Sequence, residues 1–256
     1  MEIVTADDIV LRIDAARKAR SGGVVAFDGD GTLWSGDVGD DFFAAFLAKG
    51  RVEPAAVQAM TALARDHGVP TPASTAALPV AIHDAYVAGH IPEERAYEMM
   101  AYACAGWPLV EVDAFAREVV QSVGLLERLQ PETARLVEWA RRVGVEVFVV
   151  SASPRAVVVE AVRVLGLDAA HVVAATAVEE DRVQCASVRL PIPYGEGKVE
   201  RLTERIGTRP LYAAFGDNVF DIPLLRLAEV RIAVRPKPRL LERAGSVPGL
   251  VELARA

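Results

Sequence analysis

Short apolar runs and longer amphipathic stretches alternate through much of the chain. Five runs read as strands: "GVVAF" at 23–27, "VEVFVVS" at 145–151, "HVVAATAV" at 171–178, "LYAAFG" at 211–216 and "VRIAV" at 230–234. Several are continuously apolar instead of alternating, the pattern of strands covered on both faces. Between them, "PETARLVEWARRVG" and "SPRAVVVEAVRVLG" have helical periodicity, open on Pro or Ser-Pro and close on Gly. A further helix is predicted from Thr5, which with Asp8 forms a capping-box pattern, to about Arg20; Ser21, Gly22 and Gly23 end it. This β-α-β rhythm predicts an α/β fold with a parallel sheet wrapped by helices.

The rhythm breaks once. From about Gly39 to Glu127 there is no strand pattern; the segment is rich in Ala, Met and aromatic residues, is broken by Pro54, Pro70, Pro72, Pro79, Pro92 and Pro108, and reads as several helices. So long an excursion between the first two core strands predicts a helical cap subdomain, residues 39–126, inserted into a core formed by 1–38 and 127–256. The segment "CASVRLPIPYGEGK" after the third strand reads as a short hairpin and turn.

Composition narrows the class. With 256 residues, 52% of them hydrophobic, the chain can bury a substantial core. A net charge of -7 provides no basic field for polyanions, so nucleic acid is not an expected partner. Cys104 and Cys185 stand far apart without metal or redox spacing, which suits a reducing compartment. The first twenty residues carry acids and helical spacing instead of a signal-peptide pattern, and no stretch is long enough to span a bilayer, so a cytoplasmic protein with no membrane partner is expected.

Candidate chemistry gathers at the strand ends. "VVAFDGDGTLWSG" runs a strand into two acids; residues i and i+2 of a strand share a face, so Asp28 and Asp30 are expected to project together, with Gly29 and Gly31 allowing a tight turn. Carboxylates this close repel unless a cation lies between them, which points to a divalent metal. An EF-hand does not fit, since Leu33 and Gly39 occupy its glycine and glutamate positions; a P-loop lacks its Gly-Lys-Ser/Thr. The second strand ends in "VVSASPRA", where Ser151 faces a helix amino terminus suited to an anion and Ser153 before Pro154 reads as an ordinary helix start. Lys198 stands at the entrance of a helix in "YGEGKVERL", and "GDNVFD" places Asp217 and Asp221 after the fourth strand, where either could equally cap a helix. Ligands of open parallel sheets bind at the carboxyl ends of the strands, where these residues fall.

Taken in order, "DGDGT", the serine of "SAS", the helix-leading lysine and "GDNVFD" resemble the four motifs of haloacid dehalogenase-like hydrolases, over about 22–38 and 127–240. The helical insert resembles the small cap of the phosphoserine phosphatase branch. The resemblance implies a Rossmann-like sheet and a Mg²⁺-dependent phosphatase of a small phosphorylated metabolite, working through an aspartyl-phosphate. It makes Asp28 the nucleophile and Asp30 the general acid and base, with Mg²⁺ on the Asp28 carboxylate, the Asp30 main-chain carbonyl and Asp217, supported by Asp221. Thr32 and Ser151 would bind the phosphoryl oxygens, and Lys198 would offset charge on Asp28 and the phosphoryl group. Alternatives on the same residues are a phosphotransferase or phosphomutase, or a non-catalytic phosphate-metabolite binding protein. Phe220 departs from the branch, which commonly has Asn there.

For the substrate, the resemblance places Asp37 where an acid contacts a substrate amino group; otherwise it is a turn acid. No arginine is securely placed for a serine carboxylate: Glu98 falls in the matching register and Arg95 slightly early. Trp34, Tyr97, Tyr102 and Trp107 are either an aromatic pocket for a quaternary ammonium or cap core. His67, His83, His90 and His171 lack metal-ligand spacing, and the basic cluster from Arg231 to Arg243 reads as a solvated face.

Overall fold

The computed structural model describes residues 1–255. The chain runs β1 (Glu2–Val4), α1 (Ala6–Ala19) and β2 (Val24–Phe27), then through the helices α2 (Val38–Lys49), α3 (Pro54–Asp66), α4 (Leu78–Val87), α5 (Glu93–Tyr102), α6 (Leu109–Ser122) and the short α7 (Leu125–Arg128). It continues with α8 (Pro131–Arg142), β3 (Glu146–Pro154), α9 (Arg155–Val162), β4 (Val172–Ala175), β5 (Ala177–Glu180), β6 (Val183–Val188), α10 (Glu196–Ile206) and β7 (Leu211–Gly216). The last elements are α11 (Ile222–Leu227), β8 (Val230–Ala233), α12 (Pro238–Glu242) and β9 (Leu250–Leu253).

Seven strands form one parallel sheet in the order β1-β9-β8-β7-β2-β3-β4, confirming the α/β, Rossmann-like expectation. The continuous apolar run of β2 has a direct cause. Val25 and Phe27 join a core layer with Ile9 and Ile13 of α1 and Leu136 of α8, while Val24 and Ala26 join Leu202 of α10 and Leu225 of α11 on the other face. Phe27 stacks on Phe215 of β7 with ring centroids 4.0 Å apart.

Local signals set the helix starts. Thr5 accepts from the Asp8 amide and the Asp8 carboxylate accepts from the Thr5 amide, the expected capping box, and Arg20 follows as the C-cap. Pro54, Pro131 and Pro238 open α3, α8 and α12.

Two strand readings need correction. The run 171–178 is not one strand: Val172–Ala175 is buried in the sheet, then the chain leaves it after Thr176 and Ala177–Glu180 pairs antiparallel with β6. The hairpin therefore begins earlier than "CASVRLPIPYGEGK" suggests. β1 and β9 were not foreseen; they pair along one side of the sheet and are only three and four residues long.

Between Val38 and Ser122 the elements are all helical. Their buried side chains are continuous with one face of the sheet: Phe42, Phe46, Met60, Ile82 and Met99 belong to the same apolar cluster as Val149 of β3 and Val158 of α9. The hairpin leans on this insert, with Gly106 and Leu109 amides donating to the Gln184 and Arg182 carbonyls and the Gln184 amide donating to Trp107. No helix among the described residues is long and apolar enough to cross a membrane.

Candidate active site

β2 lies between β3 and β7, so the carboxyl ends of all three strands open on one place. The Asp28 amide continues the pairing by donating to Phe215 over 2.9 Å; the chain then leaves the sheet, and the Thr32 and Leu33 amides donate back to the Gly29 carbonyl. Gly31 sits in this turn at φ +85°, where a Cβ would meet the Asp217 carboxylate at 2.1 Å. A side chain there is strained by the backbone and has to displace the Asp217 carboxylate.

Asp28, Asp217 and Asp221 are buried and can each offer an oxygen within 4.8 Å of the others. Lys198, at the start of α10, donates to Asp28 and to Asp221 at 2.6 Å each. The second Asp221 oxygen accepts the amides of Asp217 and Asn218 at 3.0 and 2.9 Å, which fixes the turn after β7. Burial pushes the Asp28 carboxyl well above the ordinary carboxylate range; Lys198 opposes this, while Asp221, Asp217 and Asp30 add to it. Burial also disfavours the Lys198 ammonium, but Asp221 and Asp28 outweigh it and raise its pKa. For Asp217, burial and Asp221 prevail over Lys237 and push the carboxyl up to about 6.

Asp30 is placed differently from the expectation. β2 ends at Phe27, so Asp30 belongs to the turn and does not share a strand face with Asp28, although both line one cavity. One Asp30 oxygen accepts from Trp34 Nε1 at 2.7 Å and from the Val38 amide at 2.8 Å; the other accepts from Ser153 Oγ at 2.7 Å and Ser151 Oγ at 3.3 Å. Charge on this carboxylate is thus spread over four donors. The serines reach it because the pairing of β3 with β4 slips between Ser151 and Pro154, a bulge that re-aims the strand end. Ser153 was read as a helix start, but Pro154 precedes α9 without any side-chain cap, and the Ser153 hydroxyl goes to Asp30.

The remaining candidates divide. Asp37 caps α2 by accepting from the Asp40 amide at 2.9 Å and also lines the cavity; burial first, then Asp30 and Asp40, push its carboxyl up to about 8. Thr32 does not line the cavity. The turn tucks it inside at 0% exposure, with its hydroxyl unpartnered among the described residues. Trp34, Tyr102 and Trp107 are buried apolar core, leaving Tyr97 as the one aromatic of that set on the cavity.

Residues that sequence reasoning passed over complete the site. Lys237, assigned to a solvated basic face, donates to Asp217 at 2.9 Å, and its amide donates to the Asp217 carbonyl at 2.8 Å. Glu93, Tyr194 and Phe220 line the side nearer the insert. The cavity measures about 70 Å³. Its acidic end offers three carboxylates as hard oxygen donors, a set that suits a magnesium-like dication, with Lys198 and Lys237 now sharing their charge.

A family model described as haloacid dehalogenase-like hydrolase matches residues 25–226. In fold the chain is similar to a Bordetella pertussis Tohama I protein with unknown function, at TM-score 0.69 and 23% identity over 92% of this chain and 99% of that one. It is similar to a substrate-bound phosphoserine phosphatase at TM-score 0.52 and 18% identity, over 91% and 93%. It is also similar to cytosolic 5'-nucleotidase IIIB bound to cytidine, at TM-score 0.56 and 14% identity, over 96% and 84%. No curated protein sequence matches the chain.

Proposed function

This chain belongs to the haloacid dehalogenase-like hydrolases, and on that premise we propose that it is a Mg²⁺-dependent phosphatase of a small phosphomonoester. The observation that carries the reading is the pairing of buried Asp28 with Lys198 in the cavity where Asp30 is held by four hydrogen-bond donors. An Asp28 oxygen attacks phosphorus, and the bond from phosphorus to the ester oxygen breaks. Asp30 gives its proton to that departing oxygen, so an alcohol leaves and an aspartyl-phosphate remains. Asp30, now ionised, takes a proton from water as the water attacks phosphorus, which releases inorganic phosphate and restores Asp28. Asp28, the Asp30 main-chain carbonyl and Asp217, with Asp221 in support, would hold Mg²⁺, which would supply the positive charge that lets an anionic nucleophile meet an anionic phosphate. Lys198 and Ser151 stabilise charge on the phosphoryl oxygens. The helices between Val38 and Ser122, with the β5–β6 hairpin leaning on them, serve as the cap over the reacting groups.

The cavity, about 70 Å³, suits a small phosphate ester. The test is turnover of an aryl phosphate with Mg²⁺ by the native protein and by Asp28→Asn. A loss of about 10⁴-fold or more is expected for the variant. Near-normal turnover by Asp28→Asn contradicts the nucleophile assignment.

A further inference from the structure

Six carboxylates but only two ammoniums line the candidate active site. Lys198 is shared by Asp28 and Asp221, and Lys237 is paired with Asp217, so both cations sit at the reacting end. Asp30 is held by its four hydrogen-bond donors. What remains is Asp37 and Glu93 on the insert side, neither in an ion pair among the described residues. Glu93 is nonetheless held in place: one oxygen accepts from Tyr97 at 3.1 Å and the other from Tyr194 at 3.3 Å. The same tyrosines provide ring surface, with Tyr97 and Tyr194 centroids 5.9 Å apart; Phe220, 4.4 Å from Tyr194, is already stacked by the Arg239 guanidinium at 5.1 Å. A fixed anion beside several π faces is a cation-binding environment.

Resting on the phosphatase reading, we propose that the alcohol half of the substrate is a small amino alcohol whose positively charged nitrogen sits between Glu93 and the rings of Tyr97 and Tyr194. The charge inventory is consistent with this. A dication and the lysines answer the phosphate; Glu93 has no ion-pair partner among the described residues, and a cationic head supplies one. The same inventory disfavours an α-carboxylate on the substrate. Arg95, on the same helix as Glu93, is drawn to Glu98, and Arg239 stacks on Phe220; neither guanidinium lines the cavity, so a carboxylate entering the insert side meets the Glu93 carboxylate first. This chain therefore discriminates against phosphoserine.

The test is equilibrium binding by calorimetry in Mg²⁺, using Asp28→Asn protein, which does not consume the probes. The probes are phosphocholine, its uncharged carbon isostere 3,3-dimethylbutyl phosphate, and O-phosphoserine. Phosphocholine is expected to bind roughly tenfold or more tightly than the isostere, and O-phosphoserine more weakly than phosphocholine. Adding Glu93→Gln is expected to bring the ratio of phosphocholine to isostere toward one; adding Tyr194→Leu lowers it by a second route if the first variant does not fold. The ratio is taken within each protein, so an overall loss of phosphate affinity cancels. Equal binding of phosphocholine and isostere, a ratio untouched by either folded variant, or tighter binding of O-phosphoserine overturns the inference. Aryl phosphate turnover by native protein without a cation preference defeats this inference alone; a preference in binding without any turnover defeats the phosphatase reading instead.

Discussion

At the scale of single residues, buried charge is the main quantity. Lys198 has 5% of its side chain exposed and is, among the described residues, the one cation within 2.6 Å of both Asp28 and Asp221. Lys198→Met leaves two buried acids without it, and removing one partner of a buried pair costs about 3–5 kcal/mol. A loss of that size is expected in urea unfolding, together with loss of turnover; an unchanged midpoint contradicts the pairing. Asp37 gives a prediction in pH. Its folded pKa of about 8 lies above the ordinary value of 3.8, so between the two the folded protein holds a proton that the unfolded chain has released. Its contribution therefore falls as pH rises through that window. In Mg²⁺-free buffer, Asp37→Asn, which keeps an acceptor for the Asp40 amide, is expected to lose stability less steeply from pH 5 to 8 than the native chain. Parallel curves contradict the assignment.

Among elements, the bulge in β3 and the turn after β2 determine the geometry. Ser153→Ala removes the 2.7 Å bond that orients Asp30 and leaves Asp28 and Lys198 untouched. The expected effect is a fall of about 10- to 100-fold in kcat with little change in KM, read by steady-state kinetics. Gly31→Ala forces a Cβ toward the Asp217 carboxylate, so it is expected to lower both thermal stability and turnover. The apolar runs showed most of the sheet because strands buried on both faces leave a continuous signature, as Val24 to Phe27 do. Residues 171–178 defeated that logic, since a run that continues in sequence changes sheet at Thr176. β1 and β9 are too short to show a period. Asp28, Ser151, Lys198 and Asp217 were legible because they sit at or just beyond strand ends or at a helix entrance. Ser153 was hidden by the bulge, Lys237 by its charged surroundings, and Glu93 and Tyr194 by the roughly one hundred residues that separate two groups in contact. Only folding brings those together.

For the whole molecule, the sheet collects acids from distant segments around one cavity and the insert closes it from one side. That concentration of negative charge implies a linkage between metal and fold. Adding Mg²⁺ to chelator-treated protein is expected to raise the unfolding free energy by about 2.7 kcal/mol at one hundred times its Kd, and to restore aryl phosphate turnover that chelation has abolished. Turnover that survives exhaustive chelation removes the metal from the mechanism.

The account turns on whether Asp28 bonds to phosphorus. Rapid acid quenching during turnover, followed by peptide mass mapping, tests this directly. The predicted result is a phosphate adduct, labile to hydroxylamine, on the peptide carrying Asp28 and missing from Asp28→Asn. An active enzyme whose adduct lies elsewhere, or whose Asp28→Asn variant turns over normally, contradicts it.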